Sequence, residues 1–216
     1  MNREGSSVSG EDHVKIRMAL NRESRIGWIE KRMKAMVFCA WSSAIRLGEL
    51  LNLDIVDVLE STHKGGRWKV KETFVLTAAK AKRFQGGGTA SGKIHFNRMT
   101  RQAIRDYISA AIEVGAMKSP LKKNQPLWVS QQKTRISSRT VQRLWVDLQL
   151  RAGIDGDCVY RWHDLRHTAL TVVGELGDVF DVVALGRFKT IKNTIRYVHP
   201  SDERMIELVE RGSKRR

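Results

Sequence analysis

Apolar residues recur three and four apart along most of this chain and alternate along only a few short stretches. Ile26, Ile29, Met33, Met36, Val37 and Ala40 keep helical spacing and predict helix over residues 12–44. A short helix is predicted over 46–52. Runs 55–59, 68–76 and 93–96 read as strands, the last two joined by a basic, glycine-rich loop through Gln85 and Gly88. Met99, Ala103, Ile104, Tyr107, Ile108 and Ala111 form the next helical stripe, which ends near Gly115. A proline-bearing loop covers 119–127. Ser137 or Ser138 can cap a helix running to Arg151, with Val141, Leu144, Trp145 and Leu148 on one face. Helix returns over 163–176 and in shorter pieces beyond. The fold class predicted is α+β: mostly helices around a small three-stranded antiparallel sheet. Residues 1–25 read as a flexible polar and basic arm and lead-in, and 26–216 as one domain. No internal repeat or strong linker interrupts it.

The chain has 216 residues, enough to bury a core without disulfides. A hydrophobic fraction of 41% excludes a disordered or collagen-like chain. Charge adds more. Thirty-nine Lys and Arg against 23 Asp and Glu leave +16, which suits a polyanionic partner, most often nucleic acid. The excess is clustered: residues 61–105 hold eleven basic residues against Glu72 alone, and 118–151 hold eight against Asp147. Residues 172–183 reverse the sign with Glu175, Asp178 and Asp181. Two cysteines, Cys39 and Cys158, make no disulfide framework. No apolar run reaches membrane-spanning length and the first residues lack a secretory apolar core, so the expected setting is cytoplasmic and DNA-associated, with no membrane.

Four features carry candidate chemistry. Gly87-x4-Gly92-Lys93 comes near a phosphate-cradling loop, but Ile94 stands where a hydroxyl should reach Mg²⁺, and strand follows where a helix should open. A hairpin loop reads better. His163, Arg166 and His167 lie at i, i+3 and i+4, on one helix face. Two histidines so spaced could ligate zinc, yet Arg166 between them disfavours a cation and no third ligand accompanies them. A buried His/Arg cluster bonded to backbone is the plain alternative. A site for a phosphate oxyanion is the chemical one, since arginine offers a bidentate fork and histidine a tunable donor. Arg46, three residues before Glu49, and Tyr197 near the C-terminus would each be unremarked alone.

In order, these residues resemble the tyrosine recombinase (phage integrase) family. Arg46-Leu47-Gly48-Glu49-Leu50 resembles its first arginine box. His163-Asp164-Leu165-Arg166-His167-Thr168 matches its second, and Leu185-Gly186 followed by Tyr197-Val198-His199 its last. The resemblance covers residues from about 28 to 210. It implies the family's catalytic fold, with Tyr197 as nucleophile, Arg46, Arg166, His163 and His167 around the phosphate, and Glu49 in support. The family's lysine, in the turn after the second strand, would be Lys80, with Lys82 as competitor. One departure stands out: the slot usually filled by His or Trp is contested by Arg187 and Phe188. Arginine could still donate to phosphate, whereas phenylalanine could only pack. The resemblance also implies a core-binding domain ahead of the catalytic one, and residues 1–25 are too few to form it.

The implied activity is cleavage and rejoining of DNA through a 3′-phosphotyrosyl link, with no metal and no cofactor. Alternatives are a catalytically weakened DNA-binding regulator and relaxation of the type IB topoisomerase kind. Double-stranded DNA is the expected partner, gripped by Lys82, Arg83, Lys93, Arg135, Arg139 and Arg143. The resemblance further implies a homo-tetramer on DNA whose protomers exchange C-terminal segments.

Overall fold

The computed structural model describes residues 7–23, 27–61, 68–77, 91–198 and 202–213. The expected single helix over 12–44 is two, α1 (Gly10–Glu23) and α2 (Trp28–Ser43). The expected flexible lead-in is therefore corrected over its described part. Ile16, Ala19 and Leu20 of α1 are buried, and Val8 ahead of it is too. Val8 N donates to Thr168 Oγ1 (2.8 Å), and Tyr160 Oη donates to Asp12 (2.8 Å).

Helix α2 is the central element. It is enclosed nearly all round, with Ala35, Met36, Val37 and Cys39 fully buried, as expected of the unbroken apolar run 35–41 in its second half. It ends at Ala44 in the left-handed conformation (φ 48°). The chain then turns into α3 (Leu47–Leu51) and α4 (Ile55–Val58).

The sheet differs from expectation. Run 55–59 is not a strand. The Asp57 carboxylate accepts a bond from Asp54 N (2.8 Å), which starts a helical turn, and only Leu59–Ser61 (β1) is extended. Run 68–76 is broken at Lys71 and Glu72 into β2 (Trp68–Val70) and β3 (Thr73–Leu76). β1 pairs antiparallel with β2, and β3 with β4 (Gly92–His95), so two two-stranded ladders replace the single three-stranded sheet. Residues 85–88, the expected loop, lie outside the described residues. The α+β class and helical dominance hold.

Helix α5 (Arg98–Glu113) is capped by Asn97, whose side chain accepts from Thr100 N, and packs along α2. The following loop is anchored by buried Trp128, whose indole N–H donates to Leu50 O (2.9 Å). Helix α6 (Ser138–Arg151) is capped by Ser137 and buries Val141, Trp145 and Leu148 as the periodicity required. Helix α7 (Trp162–Leu176) packs on α2, and α8 (Val179–Gly186) on α7. A 3-10 turn (Ile195–Tyr197) and helix α9 (Asp202–Ser213) follow. The main core lies around α2. A smaller cluster of Ala44, Ala169, Leu170, Val182 and Tyr197 lies beyond the end of α2. No helix among the described residues is long and apolar enough to cross a membrane.

Candidate active site

Helix α7 supplies three of the expected residues. Asp164 in its first turn accepts from Arg161 N (2.7 Å) and fixes the helix start. Leu165, Ala169 and Leu170 bury the helix; Arg166 and His167 reach Ala44 and Tyr197 of the smaller cluster, and His163 lines the adjoining groove with Leu47, Trp145 and Trp162. The two imidazoles meet edge to face with ring centres 4.7 Å apart. Arg166 is buried, and donates to Ala44 O and to Gly186 O (2.7 Å). Those bonds use two of its five N–H donors and lock its plane.

Arg46 reaches the same place from the turn between α2 and α3. Glu49, buried on the first turn of α3, accepts from Arg46 N (3.0 Å) and Arg46 Nη1 (3.1 Å). The Arg46 charge lies close enough to help lower the pKa values of His163, Arg166 and Tyr197.

Tyr197 sits on the 3-10 turn, against α7. The approach is so close that a Cβ at Gly174 would stand 1.8 Å from Tyr197 O. Only glycine fits there. The Tyr197 side chain is buried, and its hydroxyl lies 2.6 Å from His167 Nδ1. Burial raises the phenol's pKa, against the opposing charges of Arg166, Arg196 and Arg46. Burial lowers that of His167, helped by Arg196 and Arg166. At neutral pH the resting pair is thus a protonated phenol beside a neutral imidazole, the arrangement in which the imidazole can accept the phenol proton. His163 keeps an exposed edge, yet desolvation of the rest, then His167, Arg166 and Arg46, push it down to about 4.

The structure separates Arg187 from Phe188. Arg187 caps α8 in the left-handed conformation (φ 52°), and its side chain turns inward. It donates to Leu185 O (2.9 Å), Ser43 O (3.2 Å) and Glu49 Oε2 (2.7 Å), with its stem laid across Gly92. The expectation that it might meet phosphate is corrected, because its guanidinium is spent on the protein interior. Phe188 instead stacks with Tyr197 at 6.2 Å and lies over the Arg166 guanidinium at 5.2 Å. It adds no donor.

Of the expected DNA-gripping residues, Arg139 and Arg143 are exposed on α6 and Lys93 on β4. Arg135 is corrected to a structural role: it binds Leu53 O (3.1 Å), Leu51 O and the Asp54 carboxylate. Lys80, Lys82 and Arg83 lie outside the described residues, as does His199. No group of three or more metal-ligating side chains occurs among the described residues. Sequence reasoning missed Gly174 and Tyr160, and quoted Thr168 only as part of its box without a role. The spacing of Gly174 from His167, two helical turns, was the one signal for the first; nothing marked Tyr160.

The profile described as the Phage integrase family matches residues 12–204. The chain belongs to the phage integrase family. Among its relatives is a protein called tyrosine recombinase XerC in Caldanaerobacter subterraneus subsp. tengcongensis, 27% identical over 189 residues, which span 86% of this chain and 46% of that one. Another protein of that name, in Histophilus somni, is 26% identical over 207 residues, covering 94% of this chain and 61% of that one. The chain therefore spans about half the length of the curated relatives it matches. Its fold is shared with a XerH site-specific recombinase bound to its difH substrate, at TM-score 0.67 and 16% identity over 94% of this chain and 53% of that one.

Proposed function

We propose that this chain is the catalytic part of a site-specific DNA recombinase that cuts and rejoins strands through a 3′-phosphotyrosyl link on Tyr197. The observation that carries the reading is the Tyr197–His167 contact beside two arginines. A DNA phosphodiester is anionic, and its transition state gathers more charge on the non-bridging oxygens. Arg46 and the remaining donors of Arg166 bind those oxygens, and His163 donates a further bond. His167 takes the phenol proton as the Tyr197 oxygen attacks phosphorus. The bond to the 5′ oxygen breaks, and Lys80 returns a proton to it. One phosphodiester replaces another, so the bond energy is kept and no ATP is consumed. A second 5′-hydroxyl then attacks the link and restores the backbone.

Double-stranded DNA is the partner in this reading. The exposed arginines of α6 and Lys93 on β4 grip phosphates, which gives a salt-dependent term, and Lys82 and Arg83 add to it. Helix α9 exposes Met205, Ile206 and Val209 along one side. Such an apolar stripe suits exchange of the C-terminal segment between the protomers of a tetramer.

The test is incubation with a pool of nicked suicide duplexes, wild type beside Tyr197→Phe. A denaturation-stable adduct that requires Tyr197 is expected, and its absence refutes the enzymatic reading. Sequence-selective binding without adduct would favour the regulator. Site-independent plasmid relaxation would favour the topoisomerase alternative.

A further inference from the structure

We infer that Arg187 is a positioning residue for cleavage, one that neutralises Glu49 so that Arg46 keeps its charge for the phosphodiester. The inference rests on the recombinase reading and adds a part to it.

The starting point is that Arg187 is held at two costs. A non-glycine residue in the left-handed region is strained, and Arg187 has φ 52°. A guanidinium taken from water loses solvation, and this side chain is 1% exposed. Both costs end at one carboxylate. Glu49 Oε2 receives Arg187 Nη2 at 2.7 Å, and Glu49 Oε1 receives Arg46 Nη1 at 3.1 Å. Glu49 is itself 3% exposed, so its charge is little screened by water. The two arginines divide the carboxylate. The shorter bond is on Arg187, the buried partner, while Arg46 keeps a third of its side chain exposed.

The charge balance gives this division its consequence. With Arg187 present, the group Arg46, Arg166, Arg187 and Glu49 carries two surplus positive charges. A phosphodiester enters with one negative charge and approaches two in the pentavalent transition state. Without Arg187, the buried Glu49 charge loses its shorter ion pair and bears more heavily on Arg46, with Arg166 also in its field. Arg46 is then drawn onto Glu49, and the surplus falls to one. Arg187 also reaches Ala44 O (3.4 Å), the carbonyl that holds Arg166. One buried side chain therefore braces both phosphate-facing arginines without meeting DNA.

The experiment uses the 216-residue chain and single-turnover cleavage of a nicked suicide duplex, with DNA affinity from fluorescence anisotropy. Arg187→Met lowers the cleavage rate constant by about ten-fold or more and changes Kd by less than about two-fold. Arg187→Lys, which keeps the charge, falls between. The double variant Arg187→Met with Glu49→Gln removes the stranded carboxylate charge and regains part of the rate. Purely structural loss predicts the opposite, a double variant worse than either single one. Wild-type cleavage by Arg187→Met, or a double variant with no regained rate, overturns the inference. If Arg187→Met fails to fold by circular dichroism, Arg187→Gln takes its place beside Arg187→Lys: a neutral variant that cleaves as fast as the lysine one overturns the inference, and a slower one at constant Kd supports it. Absence of any adduct with the wild type would instead refute the recombinase reading itself.

Discussion

Gly174→Ala adds one methyl group at the place where the tyrosine segment docks. An alanine Cβ would stand 1.8 Å from Tyr197 O and 2.8 Å from its carbonyl carbon. Carbon and carbonyl oxygen rest comfortably at about 3.3 Å or more, so the segment must retreat by roughly 1.5 Å. The Tyr197–His167 contact is 2.6 Å. A retreat of that size carries it past the hydrogen-bond limit of about 3.5 Å. Misplacement of a reacting group by about 1 Å costs on the order of a hundred-fold in rate. Stability changes less. Overpacking costs about 1–3 kcal/mol, and replacing glycine within a helix returns about 1. The net effect is about 0–2 kcal/mol, a fall in Tm below about 8 °C for a chain of this size. The assay is the rate of covalent adduct formation on suicide DNA, with Tm followed by circular dichroism. A folded Gly174→Ala protein that forms adduct at the wild-type rate would refute the docking argument.

Three further outcomes are expected. His167 is the proposed base and its pKa lies below the ordinary histidine value. Cleavage should therefore be level near pH 7 and fall only on the acid side, below about pH 6.5; a rate that rises steadily from pH 6.5 to 8 contradicts that role. Arg139→Ala and Arg143→Ala should each reduce the slope of log affinity against log salt by about one, while Arg135→Ala should leave that slope alone and lower stability by about 1–3 kcal/mol through the lost bonds to Asp54, Leu51 O and Leu53 O. Phe188→His should speed cleavage, because imidazole places a donor where the phenyl ring now covers Arg166; chemical quench on suicide DNA would measure it, and an unchanged or slower rate counts against Phe188 as the gap in the donor set.

The helix face of His163, Arg166 and His167 was legible from spacing alone, since three and four residues bring side chains to one side of a helix. So was the burial of α6 and α5, whose stripes are strongly periodic. Strand limits were not, because Asp54 and Asp57 cap a turn that the mostly apolar stretch 55–59 conceals, and Lys71 with Glu72 divides what reads as one strand. The fate of Arg187 was also hidden. Sequence places it one residue from Phe188. Only the left-handed cap of α8 turns one inward and the other toward Tyr197. The Arg135 role depended on carbonyls more than eighty residues away, which no local pattern encodes.

Tyr197 belongs to a small cluster of five buried residues, separate from the main core. A unit with so little apolar area opens at lower free energy than the whole domain. The proposed nucleophile should thus have an opening equilibrium of its own. Native-state hydrogen exchange should find the amides around Tyr197 exchanging through a sub-global opening while those of α2 wait for complete unfolding. Anything that binds the undocked segment would draw the tyrosine away from its base without touching the rest of the fold, and anything that clamps it would hold the site ready.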